Sequence, residues 1–450
     1  MKKRSFLLPL FIIFTAFFCT ISANAAFSPD FEPQAQSVLM INLDTNTTIY
    51  SKQPDAKVYP ASTTKIMTYI IAVENIPDLD NTMITFTQQM SDTLTGSGSS
   101  LAGLKVGDVL SAHDLLYCMM VPSGNDAAVA LATYVGGGNI QKFVDMMNQK
   151  AQDLGCTNTH FMNPHGLQDE NHYTTASDLA KIAQYAMKMN YFDEITNTLR
   201  YTFTIKDGPR KGTSTWVDST NFLINQNLIG ATAYYYQYAR GIKTGHTDEA
   251  GYCLVSSARA EGISYLCVMM NTKSPGTDSS GAVIHQEMLD TRQLYRWAYK
   301  NFQLKQVLSA SQATMEVPLD YAWNKDHLLL SPETTVSAIL PNDVDPSNVQ
   351  IVPNLPQSVA APVKRGDQVG TAKLVYNGEE IGSVNLVSSE SVDRSEWVHI
   401  ITLAKRIVTS RWFVLIAAIL AVLIIVYIVL TLLNHQKKTA KRKVHRYRKM

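Results

Sequence analysis

Three short stretches of this 450-residue chain pair hydroxyls with amines or amides. In "PASTTKIM", Ser62 and Lys65 stand three positions apart, which puts both on one face of a helix, within reach of each other. A lysine in a first helical turn opposes the positive end of the macrodipole, and a capping box would place Glu or Gln there. The same placement is useful chemically, because burial, the helix N-terminus and a neighbouring cation all push an amine toward its neutral form. A neutral amine beside a serine hydroxyl is a base that makes the serine a nucleophile. The bland alternative makes Ser62 an ordinary N-cap of a helix whose apolar face is Ile66, Met67, Tyr69, Ile70 and Val73.

Two further stretches bear on the choice. In "PSGND", Ser123, Gly124 and Asn125 form a tight turn between helical segments, where two polar side chains can face a pocket. In "GIKTGHTDEAGYCLV", Lys243, Thr244 and Gly245 open a strand run. S-x-x-K and K-T-G each occur once, whereas S-x-N also occurs at Ser22, Ser219 and Ser383 and says little alone. His160, His165 and His172 fall within thirteen residues, but there is no H-E-x-x-H, so loop structure is expected of them and a zinc peptidase is not.

The order S-x-x-K, S-x-N, K-T-G, with gaps of about 60 and about 120 residues, is a penicillin-recognising serine signature. Here the chain resembles the serine-type D-alanyl-D-alanine carboxypeptidases, the low-molecular-mass penicillin-binding proteins. The stretches "GSSLAGLKVGDVLSAHDLLYCMMVPSGNDAAVALA", "FMNPHGLQDENHYTTASDLA" and "RGIKTGHTDEAGYCLVSSA" also look like that family. The resemblance implies that Ser62 is acylated, Lys65 takes its proton and Ser123 relays a proton to the leaving amine. It implies that Asn125 holds the peptide, that Lys243 and Thr244 bind the terminal carboxylate beside Gly245, and that the amides of Ser62 and His246 form the oxyanion hole. Implied partners are peptidoglycan stem peptides ending in D-Ala-D-Ala, with β-lactams as covalent inhibitors and no cofactor or metal. A DD-endopeptidase, or a non-catalytic β-lactam sensor or wall-binding module, is the alternative. A class A β-lactamase would need a glutamate-bearing deacylation loop that the sequence does not reveal.

The elements that must position these residues read as an α/β (α+β) domain over residues 26–300, with an antiparallel sheet flanked by helices. "SVLMINLDTNTTIYSK" alternates like a hairpin, "SAHDLLYCMMVPSGNDAAVALATYVG" reads as two helices around a turn, and "TASDLAKIAQYAMKM" as a helix. "GYCLVSSARAEGISYLCVMMN" reads as two strands joined at Ala260 to Gly262, and "DTRQLYRWAYKNF" as a closing helix. Residues 305–398 change to short strands with turn punctuation, "YNGEEI" being a hairpin signal. That is a small all-β domain, a β-sandwich by the resemblance, which residues 390–411 link to an apolar run near the C-terminus.

Both ends read as membrane signals. Residues 1–25 carry Lys2, Lys3 and Arg4, then an apolar run and small residues, as a secretory signal peptide does. Residues 412–433 hold no charge and span roughly 33 Å as a helix, enough for a hydrocarbon core of about 30 Å. The tail, residues 434–450, has eight Lys and Arg and no acid, so the positive-inside rule places it in the cytoplasm and the body on the outer face of the cell membrane. Of 39 basic residues, three open the chain and eight sit in the tail, leaving 28 against 38 acids. The body is acidic, which excludes nucleic acid as an expected partner. The better-known family members end in an amphipathic helix lying on the membrane, and this chain departs from them in having a span. "YYYQYARGIKTG" is a second departure, in which Arg240 adds a cation beside the K-T-G strand. Cys253 and Cys267 fall on neighbouring strands, so either a disulfide or two buried thiols is open.

Overall fold

The computed structural model describes residues 28–227, 231–313 and 315–447, so the signal-peptide reading of residues 1–25 lies outside the described residues. The chain divides into two compact units, the first holding the described residues up to Lys305 and the second most of the residues C-terminal to it.

The first unit is organised by a five-stranded antiparallel sheet. Its strands are β1 (Ser37–Asn42), β2 (Thr48–Lys52), β3 (Ala239–Thr247), β4 (Gly251–Ala260) and β5 (Ile263–Thr272), in the order β2-β1-β5-β4-β3. Nearly every residue of β1, β4 and β5 is buried, because the alternating side chains feed two different cores. Ile41, Val255, Leu266, Val268 and Met270 enter one core, and Val38, Met40, Leu254, Cys267 and Met269 the other. A sheet covered on both faces explains why these strands read as unbroken apolar runs.

The larger core is made with helices α1 (Lys65–Asn75), α2 (Ala112–Met120), α3 (Asn125–Val135), α4 (Ile140–Asp153) and α5 (Ala176–Ala186). Several start on side-chain caps: the Ser111 hydroxyl accepts from the Asp114 amide and the Thr175 hydroxyl from the Asp178 amide. Helix α6 (Gln286–Asn301) covers the other face through Met288, Leu294, Tyr295 and Ala298.

Helix α1 corrects the N-cap reading of Ser62. A 3₁₀ turn, Ala61–Thr64, precedes it, and Ser62 lies inside that turn. The neighbouring hydroxyls are engaged elsewhere, Thr63 Oγ1 donating to the Pro60 carbonyl and Thr64 Oγ1 lying 2.8 Å from His172 Nε2. Cys118, Cys156, Cys253 and Cys267 are buried free thiols, which resolves the disulfide question in favour of thiols.

Between Lys305 and Ser388 the described chain is mostly strand. A six-stranded sheet is built on the hairpin Gln368–Tyr376 and Glu379–Ser388, turned at Asn377 and Gly378, both with positive φ. The segment expected as a plain link contains helix α7 (Glu396–Val408), started by the Ser395 hydroxyl accepting from the Val398 amide. Trp397, Ile400, Ile401, Ala404, Ile407 and Val408 recur at helical spacing along it, which the linker reading overlooked. Helix α8 (Arg411–Tyr447) comes next, and its Arg411–His435 portion is long and apolar enough to cross a bilayer.

Candidate active site

Ser62 is half-buried and lines a cleft of about 540 Å³ in the first unit. Two glycines allow its turn to sit there. A Cβ on Gly166, whose φ is +91°, would lie 1.8 Å from the Ala61 carbonyl oxygen, and one on Gly245 would lie 3.0 Å from the Ser62 nitrogen. Backbone therefore approaches the serine turn from both the "NPHGL" loop and strand β3, as only glycine permits.

Lys65 is fully buried on the first turn of α1. Its Nζ lies 2.9 Å from Ser62 Oγ, 2.6 Å from Asn125 Oδ1 and 2.9 Å from the His165 carbonyl oxygen. Burial first, and the Lys243 charge second, hold its amine well below the ordinary lysine range, with Asp126 opposing. A neutral amine has two donors and one lone pair. In that form the Asn125 and His165 oxygens would take the two donors and the lone pair would be left for the Ser62 hydroxyl.

Ser123 occupies the turn between α2 and α3 in a left-handed conformation, φ +65°. Its Oγ is buried and has no hydrogen-bond partner among the described residues, an uncommon state for a buried hydroxyl and one found at functional positions. The turn is tied down on both sides, the Gly124 amide donating to the Cys118 carbonyl and the Asn125 amide to the Ser100 carbonyl. On the opposite wall, Thr244, Gly245 and His246 line the cleft from β3. Lys243 is buried behind them, its Nζ 3.1 Å from the Thr244 carbonyl, and burial lowers its pKa to about 7.

Six of the eight residues singled out from the sequence, Ser62, Ser123, Asn125, Thr244, Gly245 and His246, line the cleft, and the other two, Lys65 and Lys243, are buried behind its walls. Arg240 is exposed and is not among the residues lining the cleft. His165 and His172 are buried and held neutral, both lowered to about 3 chiefly by burial.

The D-alanyl-D-alanine carboxypeptidase family profile matches residues 22–274, more than half of the chain. The chain belongs to that family. The penicillin-binding protein 5 C-terminal domain matches residues 302–394. The chain is 28% identical over 367 residues to the D-alanyl-D-alanine carboxypeptidase DacF of Bacillus subtilis, covering 81% of this chain and 87% of that one. It is 36% identical over 254 residues to the D-alanyl-D-alanine carboxypeptidase of Streptomyces sp. strain K15, 54% of this chain and 83% of that one. Among solved structures, penicillin binding protein 5 from Haemophilus influenzae superposes with a TM-score of 0.64 at 26% identity, over 82% of this chain and all of that one. The chain is accordingly a serine peptidase of the hydrolase class, with the mixed α/β fold and C-terminal β domain of its relatives.

Two contributors to the cleft were invisible in the sequence. The buried Asp126 carboxylate accepts from the amides of Ala102, Gly103, Leu104 and Ala127, pinning the serine-rich loop that forms one cleft wall. Thr220 lines the cleft with its hydroxyl 2.6 Å from that of Thr244. No spacing rule marks either. Asp126 reads simply as an acid favoured in a first helical turn, and Thr220 as a residue of an ordinary loop.

Proposed function

We propose that this chain removes the terminal D-alanine from peptidoglycan stem peptides through an acyl-enzyme on Ser62. The observation that carries the reading is the fully buried Lys65 amine, 2.9 Å from Ser62 Oγ with both of its donors already engaged. Lys65 takes the Ser62 proton as Oγ attacks the carbonyl carbon of the penultimate D-alanine. Charge on the carbonyl oxygen is met by the amides of Ser62 and His246, which Gly245 brings together. The C–N bond to the terminal D-alanine breaks, and its nitrogen receives a proton through the Ser123 hydroxyl. Lys243 and Thr244 hold the free carboxylate, Asn125 the peptide. Water then attacks the ester carbonyl, releasing the shortened stem and returning the proton to Ser62. A β-lactam enters by the same first step, and its ring-opened ester leaves slowly.

Residues 26–300 carry this chemistry in the proposal, and residues 305–398 serve as a spacer or docking module. The α8 span anchors the chain, with the body on the outer face and the basic tail inside; the uncharged run and its cationic flank support that orientation. The test is to incubate the detergent-solubilised full chain with penicillin and map the adduct by peptide mass. A Ser62 adduct, lost in Ser62→Ala, is expected. Absence of an adduct from folded protein, or one that persists in the variant, overturns the reading.

A further inference from the structure

The loop that carries His165 meets both the nucleophile's turn and the base. The His165 carbonyl accepts from Lys65 Nζ at 2.9 Å, and a Cβ on Gly166 would lie 2.9 Å from the Ser62 nitrogen. Asn163 holds the loop in shape, its Oδ1 accepting from the amides of His165 and Gly166 and its Nδ2 donating to the Leu167 carbonyl. His165 is 8% exposed and lines the cleft. Its Nδ1 accepts from the Leu167 amide at 3.3 Å, which assigns the proton of the neutral ring to Nε2. Burial first, then the charges of Lys65 and His172, lower its pKa to about 3, so the ring is uncharged at neutral pH. Nε2 has no partner among the described residues, and unlike Ser123 Oγ it is not sealed from solvent. The result is a fixed, uncharged N–H donor that opens on the cleft from the loop that meets Lys65. None of the acylation steps above uses it.

We infer that His165 Nε2 holds the water that hydrolyses the acyl-enzyme. The inference rests on the carboxypeptidase reading above and deepens it by assigning a group to the second half of the reaction. After acylation Ser62 Oγ is an ester oxygen, and the proton that Lys65 took has gone to the leaving amine through Ser123. Lys65 then has a lone pair and no hydroxyl to face. A water beside it gives one hydrogen to that lone pair and keeps two lone pairs of its own. The Nε2–H donates to one of them and leaves the other for the ester carbonyl carbon. As the new C–O bond forms, the water's proton passes to Lys65 Nζ. The tetrahedral centre then breaks its bond to Ser62 Oγ, which takes that proton back. The peptide is assigned to the opposite wall, strand β3, by Lys243 and Thr244, which leaves the His165 side to the water. The ring orients this water and does not deprotonate it, since its one lone pair already receives the Leu167 amide, so Lys65 remains the base.

The experiment labels the detergent-solubilised full chain with fluorescent penicillin to read acylation, then chases with excess unlabelled penicillin to read release. His165→Gln and His165→Asn are compared with the wild type. The Gln carboxamide N–H extends to the reach of Nε2, whereas that of Asn stops near the position of Nδ1. Release should slow about tenfold in His165→Asn, the loss of one hydrogen bond to the reacting water, and by less than about threefold in His165→Gln. Labelling should stay within about threefold of the wild type in both. A merely structural role moves the two rates together, so equal factors on labelling and release overturn the inference. Equal release from the two variants also overturns it, as does slower labelling with release unchanged, which would put the imidazole on the peptide. The wild type gives a reading that needs no variant: a crystal structure of its penicilloyl form should hold a water within about 3.2 Å of both His165 Nε2 and Lys65 Nζ. An acyl-enzyme with no water bridging those nitrogens overturns the inference. If the wild type takes no label on Ser62 at all, it is the carboxypeptidase reading that has failed, and the inference falls with it.

Discussion

Lys65 and Lys243 are buried in one site and have opposite duties in the proposed reaction. Lys65 must be without its proton and Lys243 must keep one. Lys65 is held well below the ordinary lysine range by burial and by Lys243, and Lys243 falls to about 7 by burial. The rate of acylation of free enzyme should therefore fall on the acid side as Lys65 gains a proton, and on the alkaline side as Lys243 loses one near pH 7. Measured as kcat/KM for penicillin or peptide, the profile should be a bell. Lys243→Arg keeps the cation, since guanidinium holds its proton to a pH of about 12, and should erase the alkaline limb. Lys65→Arg cannot accept a proton and should lower acylation by about a thousandfold. A profile flat through neutrality would assign the base elsewhere. The sequence showed Lys65 as a misfit because its charge sits where a helix least tolerates one. It did not show the His165 carbonyl that takes one of its hydrogens, because a backbone acceptor has no residue signature.

At the scale of elements, catalysis depends on how closely three backbones meet. The Ser62 turn is wedged between Gly166 and Gly245, and the Cβ distance at Gly166 leaves no room for a side chain to yield, since the obstacle is the Ala61 carbonyl. Gly166→Ala should displace the turn, costing about 2–4 kcal/mol and nearly all penicillin labelling. Gly212→Ala is the control: its φ is +81° but its Cβ meets nothing within 4 Å. It should cost about 1 kcal/mol, from backbone strain alone, and leave labelling unchanged. Thermal melts and a fluorescent-penicillin gel distinguish the two, and equal labelling of both variants would refute the wedge. The strands and helices of this scaffold were legible because apolar periodicity switches clearly between them. Close contacts such as Ala61 against Gly166 were not, since they join segments about 100 residues apart in the sequence. Helix α7 was missed for a different reason: a 13-residue amphipathic stretch beside a stronger apolar run reads as part of a tether.

At the scale of the whole molecule, charge and hydropathy divide the chain into an acidic body, an uncharged helix and a basic tail. Crossing by the Arg411–His435 segment leaves the eight cations of the tail on one side, where they resist translocation. Exposed Trp397, Ile401 and Val408 place apolar surface on α7 just before the crossing. An interfacial helix alone would be reversible, whereas a span is effectively permanent. Membranes bearing the full chain should therefore retain it through a high-salt wash and an alkaline carbonate wash. A chain ending at Ser410 keeps α7 and should be released by carbonate. Orientation is read separately, by treating intact protoplasts with an external protease. The body should be digested while an epitope placed after Met450 survives until the membrane is permeabilised. Loss of that epitope from sealed protoplasts, or carbonate release of the full chain, would show that α8 does not cross with its tail inside.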